Sequence, residues 1–159
     1  MGIGNFAPRF NQGPKRTAEL PTADEAGKIS DNAGKEKKRL AEAKKKEILE
    51  NAIKLLNAKA TEIRNSIEEK IRAAAAENKY SVTLTLIPYS AIAGWVEKDG
   101  IRGDYVTVKW ADIVEGAIDY KSLLSYLKGE RYQTADHGPM ATREYGHPAE
   151  LTVSFPKKN

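Results

Sequence analysis

The chain contains no cysteine, so no disulfide forms and no thiolate serves as nucleophile or metal ligand. Histidine is scarce: only His137 and His147 are present, which leaves a metal site nothing but imidazole and carboxylate ligands. No apolar run approaches the roughly 18 residues that span a bilayer, and the opening residues lack the continuous apolar stretch of a secretory signal. These absences predict a soluble, unexported protein without a membrane partner, placed in the cytoplasm or in a particle assembled there.

Proline is missing from Asp31 to Asn78, where Ala, Lys and Glu dominate. The pattern predicts one helix over 31–78, on the order of 70 Å long at about 1.5 Å per residue. Leu49, Ile53, Leu56, Ala60, Ile63 and Ile67 recur at alternating steps of four and three and fall on one side of it. Such a seam can form a coiled coil with a second copy of the chain, or it can cover a sheet of its own chain. Ile48, Ala52 and Leu55 widen the apolar side, which suits a globular core better than a two-stranded zipper. Upstream, the equivalent positions are Arg39, Glu42 and Lys46, so the first half of the helix has nothing obvious to bury.

The formal net charge of +4 is unevenly placed. Lys and Arg exceed Asp and Glu by four across residues 31–80, by one across 1–30, and fall one short across 81–159. Lys37, Lys38, Lys44 and Lys45 share one side of the helix, a stripe able to follow phosphates as point charges. Lys15 and Arg16 would add contacts from the tail. The plainer reading is a solvated helix laced by Glu and Lys three or four residues apart. The stripe carries no aromatic for stacking and no array of arginines to read bases, so any nucleic-acid binding would ignore sequence.

Residues 1–30 read as a flexible arm punctuated by Gly, Asn and Pro, with Phe6 and Phe10 as its anchors. Thr22 to Glu25 has the capping-box form, and Gly27 would limit any helical turn begun there. After Asn78 the period changes to two. Ser81–Ile87, Asp104–Trp110 and Glu150–Phe155 each alternate apolar and polar residues, which predicts a mainly antiparallel sheet covered on one side. A short helix over Tyr120–Lys128, with Asp119 as N-cap and Gly129 past its end, supplies further cover. Asp99-Gly100 signals a hairpin turn, with Trp95–Glu97 leading into it, and Gly94 and Gly103 mark bulges or close approach. Trp95 and Trp110 read as core or rim aromatics. The expected fold is α+β: the arm 1–30, the helix 31–78, then a small domain 79–159 of about three strands and one short helix.

Residues 130–149 show no period and hold both histidines with Asp136, Glu144, Arg131, Tyr132, Arg143 and Tyr145. Loops of this length are often functional. Catalysis or a metal site there lacks the needed spacing: neither HxxxH nor HExxH occurs, and the adjacent Asp136 and His137 would point apart. No catalytic residue, metal or cofactor is therefore expected. Arg131, Tyr132, Arg143 and Tyr145 are instead the residue types that anchor interfaces. The expectation is a non-enzymatic component of a larger assembly, such as a virion or nucleoprotein particle. Its partners would be other subunits, including a second copy through the helix seam. Sequence-nonspecific nucleic-acid binding through the lysine stripe is the alternative.

Overall fold

The computed structural model describes residues 2–3, 5–6, 20–141 and 146–156, the first two pairs as backbone alone. Of the residues singled out above, Phe10, Lys15, Arg16, Arg143, Glu144 and Tyr145 lie outside the described residues, as does the Phe6 side chain. The chain divides into two units, Met1–Arg39 and Leu40–Asn159.

Helix α1 runs over Ala23–Ala76, so it begins eight residues before the expected Asp31. The reason lies in its start. Thr22 N donates to Glu25 Oε1 at 2.8 Å and Glu25 N donates to Thr22 Oγ1 at 3.1 Å, a reciprocal capping box. Once a turn is capped, each added residue contributes a hydrogen bond, so the roughly 1 kcal/mol cost of Gly27 or Gly34 does not stop propagation. At the other end Asn78 adopts φ 62°, with Lys79 N donating to Ala74 O and Asn78 N to Ala75 O at 3.0 Å each. This is the Schellman closure, with asparagine tolerating the left-handed position.

The larger unit has two antiparallel sheets. Strand β1 is Ser81–Thr85, β2 Ala93–Lys98, β3 Ile101–Thr107, β4 Gln133–His137 and β5 Glu150–Ser154. One sheet has the order β1-β5-β4 and the other is the β2-β3 hairpin. Two short helices, α2 (Trp110–Gly116) and α3 (Ile118–Gly129), replace the single one expected, so Trp110 opens a helix instead of closing a strand. The α+β architecture with a long helix and a small antiparallel sheet is as the sequence indicates. The period-free segment 130–149 nevertheless carries β4, whose five residues are all exposed.

The core forms where α1, α3 and the inner face of the three-stranded sheet meet. Leu56, Ala60, Ile63 and Ile67 of α1 pack with Leu84, Leu151, Val153, Tyr120, Leu123 and Leu127, all nearly or fully buried. Burial along α1 begins at Ile48 and Ala52, whereas Leu49 and Ile53 are half-buried and Leu55 is exposed. The upper seam thus sits one residue earlier than the heptad reading placed it. Because the lower seam is covered by this chain's own sheet, a coiled coil through those side chains would have to empty the core. Gly116 lets the end of α2 approach α1: a Cβ there would stand 2.5 Å from Ile53 Cδ1.

Asp119 does not cap α3. Ala117 holds the N-cap position without a side-chain bond. The missing acceptor comes from α1, where Asn57 Oδ1 accepts from Asp119 N at 3.0 Å and Tyr120 N at 3.3 Å. These are the second and third amides of the helix, the ones a capping side chain normally satisfies. At the far end the left-handed position falls on Arg131 (φ 72°), not on Gly129, with Tyr132 N donating to Leu127 O at 3.0 Å.

Candidate functional site

The surface feature that combines exposed aromatic area with charge lies on the β2-β3 hairpin. Asp99 (φ 54°) and Gly100 (φ 77°) form its turn, both in the left-handed region that a tight hairpin of this hand requires. The register runs Lys98↔Ile101 and Glu97↔Arg102, then shifts so that Trp95 faces Tyr105. Two residues, Gly103 and Asp104, there oppose the single Val96, a bulge.

Side chains alternate across the ribbon. Val96 and Val106 point inward onto Ile48, with Leu40 and Ala41 beside them. Gly94 lies on the same inner side, where a Cβ would meet Lys44 Cε at 3.3 Å and Ile48 Cδ1 at 3.4 Å. Outward stand Trp95, 43% exposed, and Tyr105, 46% exposed, edge to face with ring centroids 4.9 Å apart. The Arg102 guanidinium lies over the Trp95 ring at 5.4 Å from its centroid. A hydrogen bond with the Tyr89 side chain holds the Tyr105 hydroxyl above its ordinary pKa. Behind Tyr89 runs the backbone at Gly146, where a Cβ would come within 2.6 Å of Tyr89 Cβ. The result is a ridge of Tyr89, Tyr105, Trp95 and Arg102. A shallow groove beside it is lined by Leu40, Ala43, Lys44, Glu47, Trp95 and Glu97.

The stripe lysines differ in their surroundings. Lys44 packs its stem against Gly94 and places Nζ 3.3 Å from Glu47 Oε1, while Lys45 is exposed. Lys37 and Lys38 belong to the other unit and are exposed there. Arg131 is taken up as the backbone closure of α3, with its side chain in solvent. Tyr132 is half-buried against the core and meets Phe155 edge-on at 6.3 Å.

Asp136 and His137 are consecutive on β4 and so face opposite ways, as their adjacency implied. Asp136 Oδ2 accepts from the hydroxyl of the fully buried Tyr120 at 2.6 Å. Burial, reinforced by that carboxylate, pushes the Tyr120 pKa far above the ordinary phenol value. His137 Nδ1 lies 3.1 Å from Gly138 O and its Nε2 lies 3.1 Å from Glu150 Oε1. The backbone carbonyl of Gly138, followed by Glu150, raises the imidazole pKa. His147 closes a bridge to Met140 through its backbone, His147 N donating to Met140 O at 2.7 Å and Met140 N to His147 O at 3.0 Å. Tyr120 and Asp136 clamp α3 to β4, with the phenol spent in that bond. Among the described residues no cluster of three or more His, Asp and Glu forms a metal-binding group.

Sequence reasoning read Trp95 as a core or rim aromatic, and the 43% exposure puts it at the rim; it missed that Tyr105 and Arg102 gather around it. The signal was the Asp99-Gly100 turn, which fixes the register. The bulge two pairs further on, which brings Tyr105 opposite Trp95, was marked only by Gly103.

The fold and the ridge define a small α+β protein with an exposed aromatic-cationic surface. No family model matches the chain, and neither a curated protein nor a solved structure shows significant similarity to it. Among the described residues no helix is long and apolar enough to cross a membrane.

Proposed function

We propose that this chain is a non-enzymatic component of a larger protein assembly, of the kind found in virions and nucleoprotein particles, working in the cytoplasm or in a particle assembled there. It docks on neighbouring subunits, copies of itself included, through the Trp95–Tyr105–Arg102 ridge. The observation that carries this reading is the exposed Trp95 held between Tyr105 and Arg102 on a hairpin braced by α1. Trp, Tyr and Arg dominate interface hot spots because each brings a large, rigid or planar contact at little entropic cost. Pre-packing one ring against another removes part of the ordering cost before any partner arrives.

Size-exclusion chromatography with light scattering on the whole protein tests this. A mass above that of the monomer is expected. Trp95→Ala should weaken the association by at least about 30-fold, corresponding to a hot-spot loss of about 2 kcal/mol. A monomer at all concentrations with every amide sharp in NMR would overturn it.

A second reading, sequence-nonspecific nucleic-acid binding, gains support from one observation: Lys44 and Trp95 line the same groove, which would give the lysine stripe the stacking aromatic that the helix itself lacks. Lys44 is partnered with Glu47, however, and Glu97 lines the groove as well, which weakens it. If four to six phosphates are neutralised, binding to duplex DNA should show a log–log salt slope of about −3.5 to −5.5. Gln at Lys37, Lys38, Lys44 and Lys45 should flatten it. Binding insensitive to salt and to those substitutions removes this reading.

A further inference from the structure

Strand β1 sits at one edge of the three-stranded sheet, bonded to β5 alone. Its ladder identifies which groups are free. Leu86 N donates to Ala149 O at 2.7 Å, and Phe155 N to Tyr80 O at 3.0 Å. In the antiparallel alternation, Val82 and Leu84 then also direct their N–H and C=O toward β5. Ser81, Thr83 and Thr85 turn theirs to the open edge, and no other described strand pairs with them.

Edges of this kind are normally guarded by charge, proline or a bulge. Here the strand reads Ser-Val-Thr-Leu-Thr, with an unbroken register against β5 and no charged residue or proline. The opposite edge, β4, carries Asp136 and His137. Along β1 the edge is flanked by α1 across a cleft of about 270 Å³ lined by Lys59, Glu62, Ile63, Ser66, Lys70 and Thr83–Thr85. The floor is apolar, since Ile63 and Leu84 are buried there. Lys59 is paired with Glu62 at 3.0 Å, whereas Lys70 has no carboxylate partner among the described residues. An edge strand beside a helix forms the groove in which an extended peptide adds as a further strand: main-chain bonds give the affinity, and side-chain subsites give the choice.

We propose that the β1–α1 groove is a strand-addition site for an extended, acidic segment of a partner protein. The segment pairs with the outward groups of Thr83 and Thr85, lays small apolar side chains on Ile63 and Leu84, and sets a carboxylate against Lys70. The site uses none of the hairpin ridge, so it stands or falls separately from the assembly reading.

The test uses the whole protein and two capped peptides of about seven residues, one alternating Val with Glu and one alternating Val with Lys, followed by amide NMR and hydrogen exchange. The Glu peptide should shift the Ser81, Thr83 and Thr85 amides and slow exchange at Thr83 and Thr85; the Lys peptide should not. Lys70→Glu, on an exposed helix turn where the fold is indifferent, should weaken binding about three- to tenfold. Thr83→Pro removes the outward N–H while sparing the bonds to β5, and should abolish binding. Trp95→Ala should leave peptide binding unchanged even if it disperses the assembly. Equal binding of both peptides, or binding indifferent to Lys70→Glu and Thr83→Pro, overturns the proposal. So does concentration-dependent protection of the edge without peptide together with a dimer mass, since a second copy would then be the occupant.

Discussion

Asn57→Ala removes one side-chain oxygen from α1 and should be felt at the start of α3. That oxygen accepts from both Asp119 N and Tyr120 N. The Asp119 amide is exposed and regains a water partner, so its loss costs little. The Tyr120 amide is partly buried, so most of the penalty falls there. Replacing a capping side chain by alanine costs about 0.5–2 kcal/mol, and with one amide exposed and one half-hidden we expect about 1–1.5 kcal/mol here. For a chain of this length that lowers the melting temperature by about 2–6 °C. Hydrogen exchange locates the effect: the Asp119 and Tyr120 amides should lose protection while Leu84 and Leu151 keep theirs. Asn57→Asp retains the acceptor and adds a negative charge at a helix N-terminus, so it should stay within about 0.5 kcal/mol of the parent. An alanine variant within about 0.3 kcal/mol of the parent, or equal losses for alanine and aspartate, would refute the cross-helix cap.

The other expectations are these. Gly138→Ala should destabilise by about 1–3 kcal/mol, because the new Cβ would fall 2.6 Å from Trp110 Cβ and 2.7 Å from its Cγ. Gly116→Ala, which meets mainly the flexible Ile53 Cδ1 at 2.5 Å, should cost less; denaturant midpoints rank the two. Arg131→Gly should stabilise by about 0.5–1 kcal/mol in thermal unfolding, since a φ of 72° strains any residue with a Cβ. Glu150→Gln should lower the imidazole pKa of His137 in an NMR titration, though Gly138 O keeps part of the shift. Because the folded-state pKa is raised, His137 stabilises the protein fully below about pH 6.5. That contribution fades as pH rises through the folded value. Tyr120 follows the same sign at higher pH: its absorbance should not titrate before unfolding, and stability should fall above about pH 10.

The lower seam of α1 was legible because Leu56, Ala60, Ile63 and Ile67 are large or tightly packed residues at helical spacing facing one sheet. Its upper end was not. Ile48 turns to the hairpin, and the buried line 48, 52, 56, 60 advances in steps of four, drifting around the helix instead of following a heptad. Strand β4 stayed hidden because all five of its residues are exposed, so neither face imposes alternation. Helix α2 was unreadable for want of a side-chain cap at Lys109 and of more than seven residues. The ridge depended on a bulge at Gly103, and the register it sets is decided by pairing partners the local sequence does not identify. Asp119 failed as a cap because the competing acceptor, Asn57, lies sixty-two residues away in the chain.

The hairpin's attachment has a kinetic consequence. Its private core is Ile48, Val96 and Val106, joined by Leu40 and Ala41, and among the described residues Val108 is the one hydrophobic side chain packed against both this cluster and the larger core. A unit held by so few buried contacts opens at a lower free energy than the sheet it adjoins. Amides of Val96 and Val106 should therefore exchange well before those of Leu151 and Val153, and through openings that leave α3 intact. The ridge would then pass briefly and repeatedly through states in which its strands separate. A partner that closes on Trp95 would slow that breathing, and binding would be readable as a change in exchange rate at residues it never touches.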